Sequence, residues 1–168
     1  MAALVFELLD GSDLFSAILR VMPLLKRQDR HEETVTALQQ ALAFHEATTA
    51  PEDAIRQLGQ GWVAEEALAI GVYCAMKASS FEAGIIMAVN HDGDSDSTGL
   101  IAGHLLGAMH GRSKTPEHWL APLELREVTE EIAGDLATAG DWYLGDKYPF
   151  CFVIAQVIVL DLNHERLP

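Results

Sequence analysis

An all-α domain is expected from three features of the amino-acid sequence. Apolar residues recur at helical spacing through most of the first 139 positions, capping signals precede several of those segments, and strand-like runs are too sparse for an alternating α/β fold. Residues 1–9 form an apolar first segment stopped at Gly11. Ser12 or Asp13 then caps a short helix running toward Pro23. A polar helix over residues 31–47 follows, with Val35, Leu38, Leu42 and Phe44 or His45 on one side. Thr49 with Glu52 three residues on, and Pro51 in the first turn, mark the next helix start. Gly59 and Gly61 end it.

From residue 63 to about 77 the string VAEEALAIGVYCAMK is apolar nearly all round once Glu65 and Glu66 are passed, which predicts a helix buried on most sides. Trp62, Tyr73 and Cys74 are expected in the core, and the two glutamates match the positive end of the helix dipole. Ser79 with Glu82 forms a second capping box before FEAGIIMAVN. That segment reads as helix or as a short strand, and its cap favours helix. After a polar loop, a helix starts at Ser97 or Thr98 and runs to about Met109, a turn region covers 112–122, and an amphipathic helix spans about 123–139. The tail differs, since FCFVIAQVIVLDL has the β-branched and aromatic content of an extended strand.

A chain of 168 residues has room for one compact domain with a core. No internal repeat or long linker divides it. Twenty-five acidic against eleven basic side chains give a formal charge of −14, which opposes nucleic-acid backbones and anionic membranes. No nucleic-acid or membrane partner is therefore expected. An anionic ligand is still compatible where a metal ion or a helix N-terminus makes the local potential positive. Cys74 and Cys151 are too few for a disulfide framework and lack metal-ligand spacing, so a reducing, cytoplasmic setting is the expectation. Residues 1–9 carry Glu7 and have no basic leader, and the late apolar run over 149–160 is too short to cross a bilayer.

The chemistry is expected in the run Asn90-His91-Asp92-Gly93-Asp94-Ser95-Asp96-Ser97-Thr98. Carboxylates at every second position repel one another, and a bound cation removes that cost. Oxygen donors select a hard ion such as magnesium, calcium or manganese. A solvated polar loop with an Asp or Ser helix cap explains the same residue types, and Asp96 or Ser97 is placed to be that cap. An EF-hand starting at Asp92 fails, because Ser97 stands where glycine is needed and Gly103 where the bidentate glutamate should be. The string from Asp94 to Thr98 also fits the D-x-D-x-T pattern of haloacid-dehalogenase-type phosphotransferases. Those enzymes require a doubly wound α/β sheet, so that reading stays a runner-up.

Gly99, Gly103, Gly107 and Gly111 recur every four residues after the loop, which predicts a helix face that neighbours approach closely. Each interior glycine costs up to ~1 kcal/mol of helix propensity relative to alanine, more than a plain surface cap would justify. Ala88-Val89-Asn90, then Gly93 to Thr98, then Ile101-Ala102-Gly103 and Gly107-Ala108 with Gly111, resemble the second metal motif of the ADP-ribosylglycohydrolase family. The segment from Gly61 to Ile70 is similar to the family's buried helix, and Trp119-Leu120 with Leu123-Glu124 to the segment after the motif. The likeness covers about residues 1–148 and is most specific over 61–111.

The resemblance implies a compact all-α domain with a magnesium (or manganese) pair in a cleft. It implies hydrolysis of the N- or O-glycosidic bond between ADP-ribose and a protein side chain or related acceptor. By position it makes Asp94, Asp96 and Ser97 metal ligands, with Ser97 where many relatives carry threonine. Gly93 would let the backbone approach the ligand, while Asn90 and His91 belong on the substrate side. The family's other metal motif, of Thr-Asp-Asp-Thr type, and its early acidic motif have no counterpart here. The chain is accordingly expected to be a C-terminal portion over 1–148 with an atypical tail over 149–168. It would then self-associate or take a partner that completes the fold. The competing expectation is a truncated, non-catalytic helical module acting by association.

Overall fold

The computed structural model describes residues 1–138, which divide between two compact units, Met1–Ala121 and the unit beginning at Pro122. Nine α-helices and one 3-10 turn account for the described secondary structure, with no strand among the described residues. The all-α expectation holds there. The strand-like tail over 140–168 lies outside the described residues.

Helix α1 (Ala2–Leu9) and α2 (Leu14–Leu25) form a hairpin around Gly11, whose φ of +92° suits a residue without Cβ. The Asp13 carboxylate accepts the Ser16 N–H at 2.9 Å, so Asp13 and not Ser12 caps α2. Pro23 does not stop α2, which runs two residues beyond it, although the ring cannot donate the hydrogen bond that residue 23 would otherwise give to the Leu19 carbonyl. Helix α3 (Glu32–Glu46) buries Val35, Leu38 and Ala41. Helix α4 (Pro51–Leu58) begins on Ala50 with proline in its first turn and ends at Gly59. The expected Thr49 capping box does not form; proline, with φ preset and no N–H to satisfy, starts the helix without a side-chain cap.

Helix α5 (Ala64–Lys77) is the centre of the first unit, packing against α3 on one side and α7 on the other. Ala69 to Ala75 are buried without interruption, as its all-round apolar sequence predicts. Helix α6 (Phe81–Val89) is capped by the Ser80 hydroxyl accepting from Ala83 N–H at 3.1 Å, one residue later than the Ser79 box predicted. Helix α7 (Ser95–His110) packs on α5, α6 and α1. The 3-10 turn Arg112–Lys114 and the short α8 (Glu117–Leu120) complete this unit, and Trp119 sets its ring 6.4 Å from that of Phe81.

The glycine face of α7 is only partly what its spacing suggests. A Cβ on Gly99 would lie 2.6 Å from Val89 Cγ1, so α6 and α7 do approach there. Gly103 makes ordinary contact, Gly107 faces open space, and Gly111 terminates the helix at φ +72°. The tighter approaches come from the partner helices. A Cβ on Gly71 of α5 would meet Ile101, and one on Gly84 of α6 would meet Leu106, each at 2.5 Å. Trp62 also departs from expectation: it is 67 % exposed, because Gly61 turns the chain before α5 begins. Tyr73 and Cys74 are fully buried, and burial pushes the Cys74 thiol up to about 12.

In the second unit, α9 (Arg126–Thr138) carries an Arg126–Glu130 pair at 3.1 Å one turn apart. Its apolar residues Val128, Ile132 and Leu136 are exposed. No helix among the described residues is long and apolar enough to cross a membrane.

Candidate functional site

Two loops at one end of the α5–α7 pair build the site. The first runs from Gly59 to Val63 and is shaped by Glu66, whose Oε2 accepts the N–H groups of Gln60 and Gly61, both at 3.0 Å. Glu66 sits in the first turn of α5 and reaches back over the preceding turn, as the glutamate of a capping box does. Gly59 and Gly61 have φ of +126° and +80°, and a Cβ on Gly59 would occupy the space of the Glu66 side chain. Sequence reading assigned Glu66 to the helix dipole and missed this brace. The pairing of glycines at 59 and 61 with a glutamate five residues after the second is the signal that was available.

The second loop joins α6 to α7 and lies against the first. Asp94 N–H donates to the Gln60 carbonyl at 2.7 Å. A side chain on Gly93 would coincide with that same carbonyl, so this glycine is required by the contact between the loops. Thr98, whose side chain is fully buried, holds the loop from below. Its hydroxyl donates to Ala88 O at 2.7 Å, the last turn of α6, and stands 2.9 Å from His91 Nε2. His91 Nδ1 accepts the Gly93 N–H at 3.1 Å. Thr98 was not singled out in the sequence, where it reads as one more hydroxyl of a polar loop.

The structure starts α7 at Ser95 with Asp94 as its cap, two residues before the expected start. Asp96 and Ser97, candidates for that cap, instead fall in the first turn. The carboxylates of Asp94 and Asp96 converge on one donor, the Ser97 N–H, at 3.4 and 3.0 Å. Interaction with the Asp96 side chain and the Ser97 hydrogen bonds hold Asp94 below the usual carboxylate range. Three of the expected ligands, Asp94, Asp96 and Ser97, are therefore brought together at the N-terminus of a 16-residue helix. Asp92 lies exposed outside this group.

The residues just before them line a cleft of about 380 Å³, together with Glu52, Arg56 and Gln60; Asn90, His91, Asp92 and Gly93 face it, and Asp94, Asp96 and Ser97 are not part of its lining. The three residues expected on the substrate side, Asn90, His91 and Gly93, thus share one wall. Arg56, 2.9 Å from Asp53, gives the opposite wall a cation that the sequence did not single out. Two carboxylates and a hydroxyl, all oxygen, are the donors a hard divalent cation takes. Among the described residues no third histidine, cysteine or acidic side chain joins them. In donor type, though not in number, these residues suit such an ion.

The family model for ADP-ribosylglycohydrolase matches residues 1–144. The chain belongs to the ADP-ribosylglycohydrolase family. Among curated family relatives, it is 39 % identical over 64 residues to the ADP-ribosyl-[dinitrogen reductase] glycohydrolase of Rhodospirillum rubrum, a stretch covering 36 % of this chain and 22 % of that protein. It is 26 % identical over 102 residues to human ADP-ribosylhydrolase ARH3, covering 54 % of this chain and 28 % of the relative. An uncharacterized protein of Archaeoglobus fulgidus is 35 % identical over 85 residues, covering 51 % and 27 %. The chain thus spans about a quarter of the length of the curated relatives it matches. No solved structure matches it.

Proposed function

We propose that this chain supplies one side of a metal-dependent site that hydrolyses the glycosidic bond of ADP-ribosylated protein side chains or related ADP-ribosyl compounds. The observation that carries the proposal is the convergence of Asp94 and Asp96 on one amide at the N-terminus of α7, directly after the cleft-lining residues 90–93, in a chain of this family. Asp94, Asp96 and the Ser97 hydroxyl would hold the ion, magnesium or manganese. Held there, a divalent cation would supply Lewis-acid polarisation and positive charge for the ribose hydroxyls. Asn90 lines the cleft, and the Gly93 backbone lies there without a side chain. Arg56 opposes them with a charge suited to a diphosphate. The N-terminal end of α7 adds a positive potential to the same place.

The remaining donors would come from water, substrate and another polypeptide or a second copy. Exposed Phe6, Leu9, Leu19, Leu24 and Leu100 are the support for such an association, since apolar side chains of this size gain by being covered. Light scattering at micromolar concentration should report a species larger than one chain, and a monodisperse monomer contradicts that part. A second reading keeps the association and drops the chemistry. It is favoured by the absence, among the described residues, of a third histidine, cysteine or acidic side chain grouped with Asp94 and Asp96.

The two separate in one assay, release of ADP-ribose from an ADP-ribosylated protein in magnesium, with chelator and Asp94→Asn as controls. Release that both controls abolish supports the proposal. Release that neither affects overturns the metal site. No release, with ADP-ribose binding also absent, leaves the non-catalytic role.

A further inference from the structure

The geometry points to His91 as the positioning residue of the Asp94–Asp96 pair, acting through the Gly93 amide on one ring nitrogen and the Thr98 hydroxyl on the other. This inference rests on the metal-site reading above and concerns what fixes the carboxylates in place. Both nitrogens of the ring are engaged inside the protein although His91 also lines the cleft.

The hydrogen bonds determine the tautomer. Gly93 N–H is a donor, so Nδ1 must carry the lone pair and the proton of the neutral ring sits on Nε2. Nε2–H then donates to Thr98 Oγ1, leaving the Thr98 proton for Ala88 O, its shortest contact at 2.7 Å. One directed chain of donors thus runs from the ring through Thr98 to the end of α6. The same ring pins the amide just before Asp94. Asp94 is fixed on both sides of its own backbone, by N–H to Gln60 O at 2.7 Å and by its carbonyl accepting Thr98 N–H at 3.2 Å. Of the groups that fix the Asp94 main chain, His91 thus holds Thr98, which bonds its carbonyl, and Gly93, which precedes it in the chain, while Gln60 takes its N–H. The Asp94 carboxylate follows, and with it the convergence with Asp96 on the Ser97 amide.

Residues that orient metal ligands without touching the metal commonly change metal affinity by about 10–100-fold when removed. A ring of purely local structural importance would lower stability and leave the carboxylates where they are. The test is made on the full chain at one fixed pH for all variants. Nitrogen-15 spectra of the histidine rings should show His91 as the Nε2–H tautomer. In His91→Ala the Ser97 and Asp94 amide resonances should shift and their protection from exchange fall. His104→Ala, on the exposed side of α7, should move neither. His91→Asn, whose amide oxygen can take the Gly93 N–H but cannot reach Thr98, should fall between wild type and His91→Ala. It also serves where the alanine variant fails to fold. Manganese affinity, followed by the loss of the free ion's paramagnetic signal, should drop at least tenfold in His91→Ala.

An Nδ1–H tautomer, or Ser97 and Asp94 amides unmoved in both folded variants, overturns the inference. Unchanged manganese affinity in His91→Ala overturns it too. Spectra as expected in a wild-type chain that binds no manganese uphold the positioning role and overturn the metal site itself.

Discussion

Thr98→Val removes one oxygen from the base of the site and keeps the shape around it. Thr98 is fully buried, and its hydroxyl closes two bonds, to Ala88 O at 2.7 Å and from His91 Nε2 at 2.9 Å. Ala88 is fully buried as well, so its carbonyl has no route to solvent, and an orphaned buried acceptor costs about 1–3 kcal/mol. His91 is half-buried and regains water more readily, which keeps its loss at the low end of the same range. The expected destabilisation is about 2–4 kcal/mol. Thr98→Ser keeps both bonds and removes one methyl, the one packed toward Gly61, for about 1 kcal/mol. Urea unfolding followed by far-UV circular dichroism measures both, with the slope unchanged if the denatured state is unaltered. A valine variant as stable as wild type, or a serine variant less stable than the valine one, would refute the role given to this hydroxyl.

Other outcomes follow from the same contacts. Gly93→Ala forces a methyl group onto the Gln60 carbonyl and breaks the Asp94–Gln60 bond, so the two loops should separate at a cost of about 2–4 kcal/mol in urea unfolding; a change below about 0.5 kcal/mol contradicts the geometry. Tyr73→Phe deletes a buried hydroxyl with no hydrogen-bond partner among the described residues, and should leave stability unchanged or raise it by up to about 1 kcal/mol in the same assay. The Cys74 thiol, raised to about 12 by burial, should resist alkylation at pH 8 until the chain unfolds. Because the unfolded thiol loses its proton near its ordinary value of 9, this residue's contribution to stability is intact below that pH and declines as pH rises from there toward 12. Rapid alkylation of Cys74 in the folded chain, located by mass spectrometry, would exclude that burial.

The helices were legible because their apolar faces are long and their neighbours polar, as α3 and α5 show. Helix starts were less so. Asp94 caps α7 and Ser80 caps α6, one or two residues from the caps expected, because adjacent serines and aspartates offer equivalent side chains and only the backbone conformation selects among them. The glycine stripe misled for a related reason. A spacing of four marks one helix face, but which glycine has a neighbour depends on the crossing of α5 and α6, where Gly71 and Gly84 proved tighter than Gly103 or Gly107. Trp62 was expected in the core on hydrophobicity alone, and a single turn at Gly61 placed it outside.

Within the site, Asp94, Asp96 and Ser97 stood out through their residue types and close spacing. The residues that hold them did not. Gln60 acts through its backbone carbonyl, which is blind to side-chain identity, and Glu66 lies 28 positions before Asp94 in a helix whose acidic start had a sufficient local explanation. His91 was noticed as a loop residue facing substrate, and its two ring contacts emerge only when α6 and α7 are folded together.

Calorimetric titration of magnesium into the full chain, beside Asp94→Ala and Asp96→Ala, tests the central claim most directly. The paired carboxylates predict saturable binding by the wild type, lost or greatly weakened in each variant with the fold retained. Equal heats from all three proteins would contradict it.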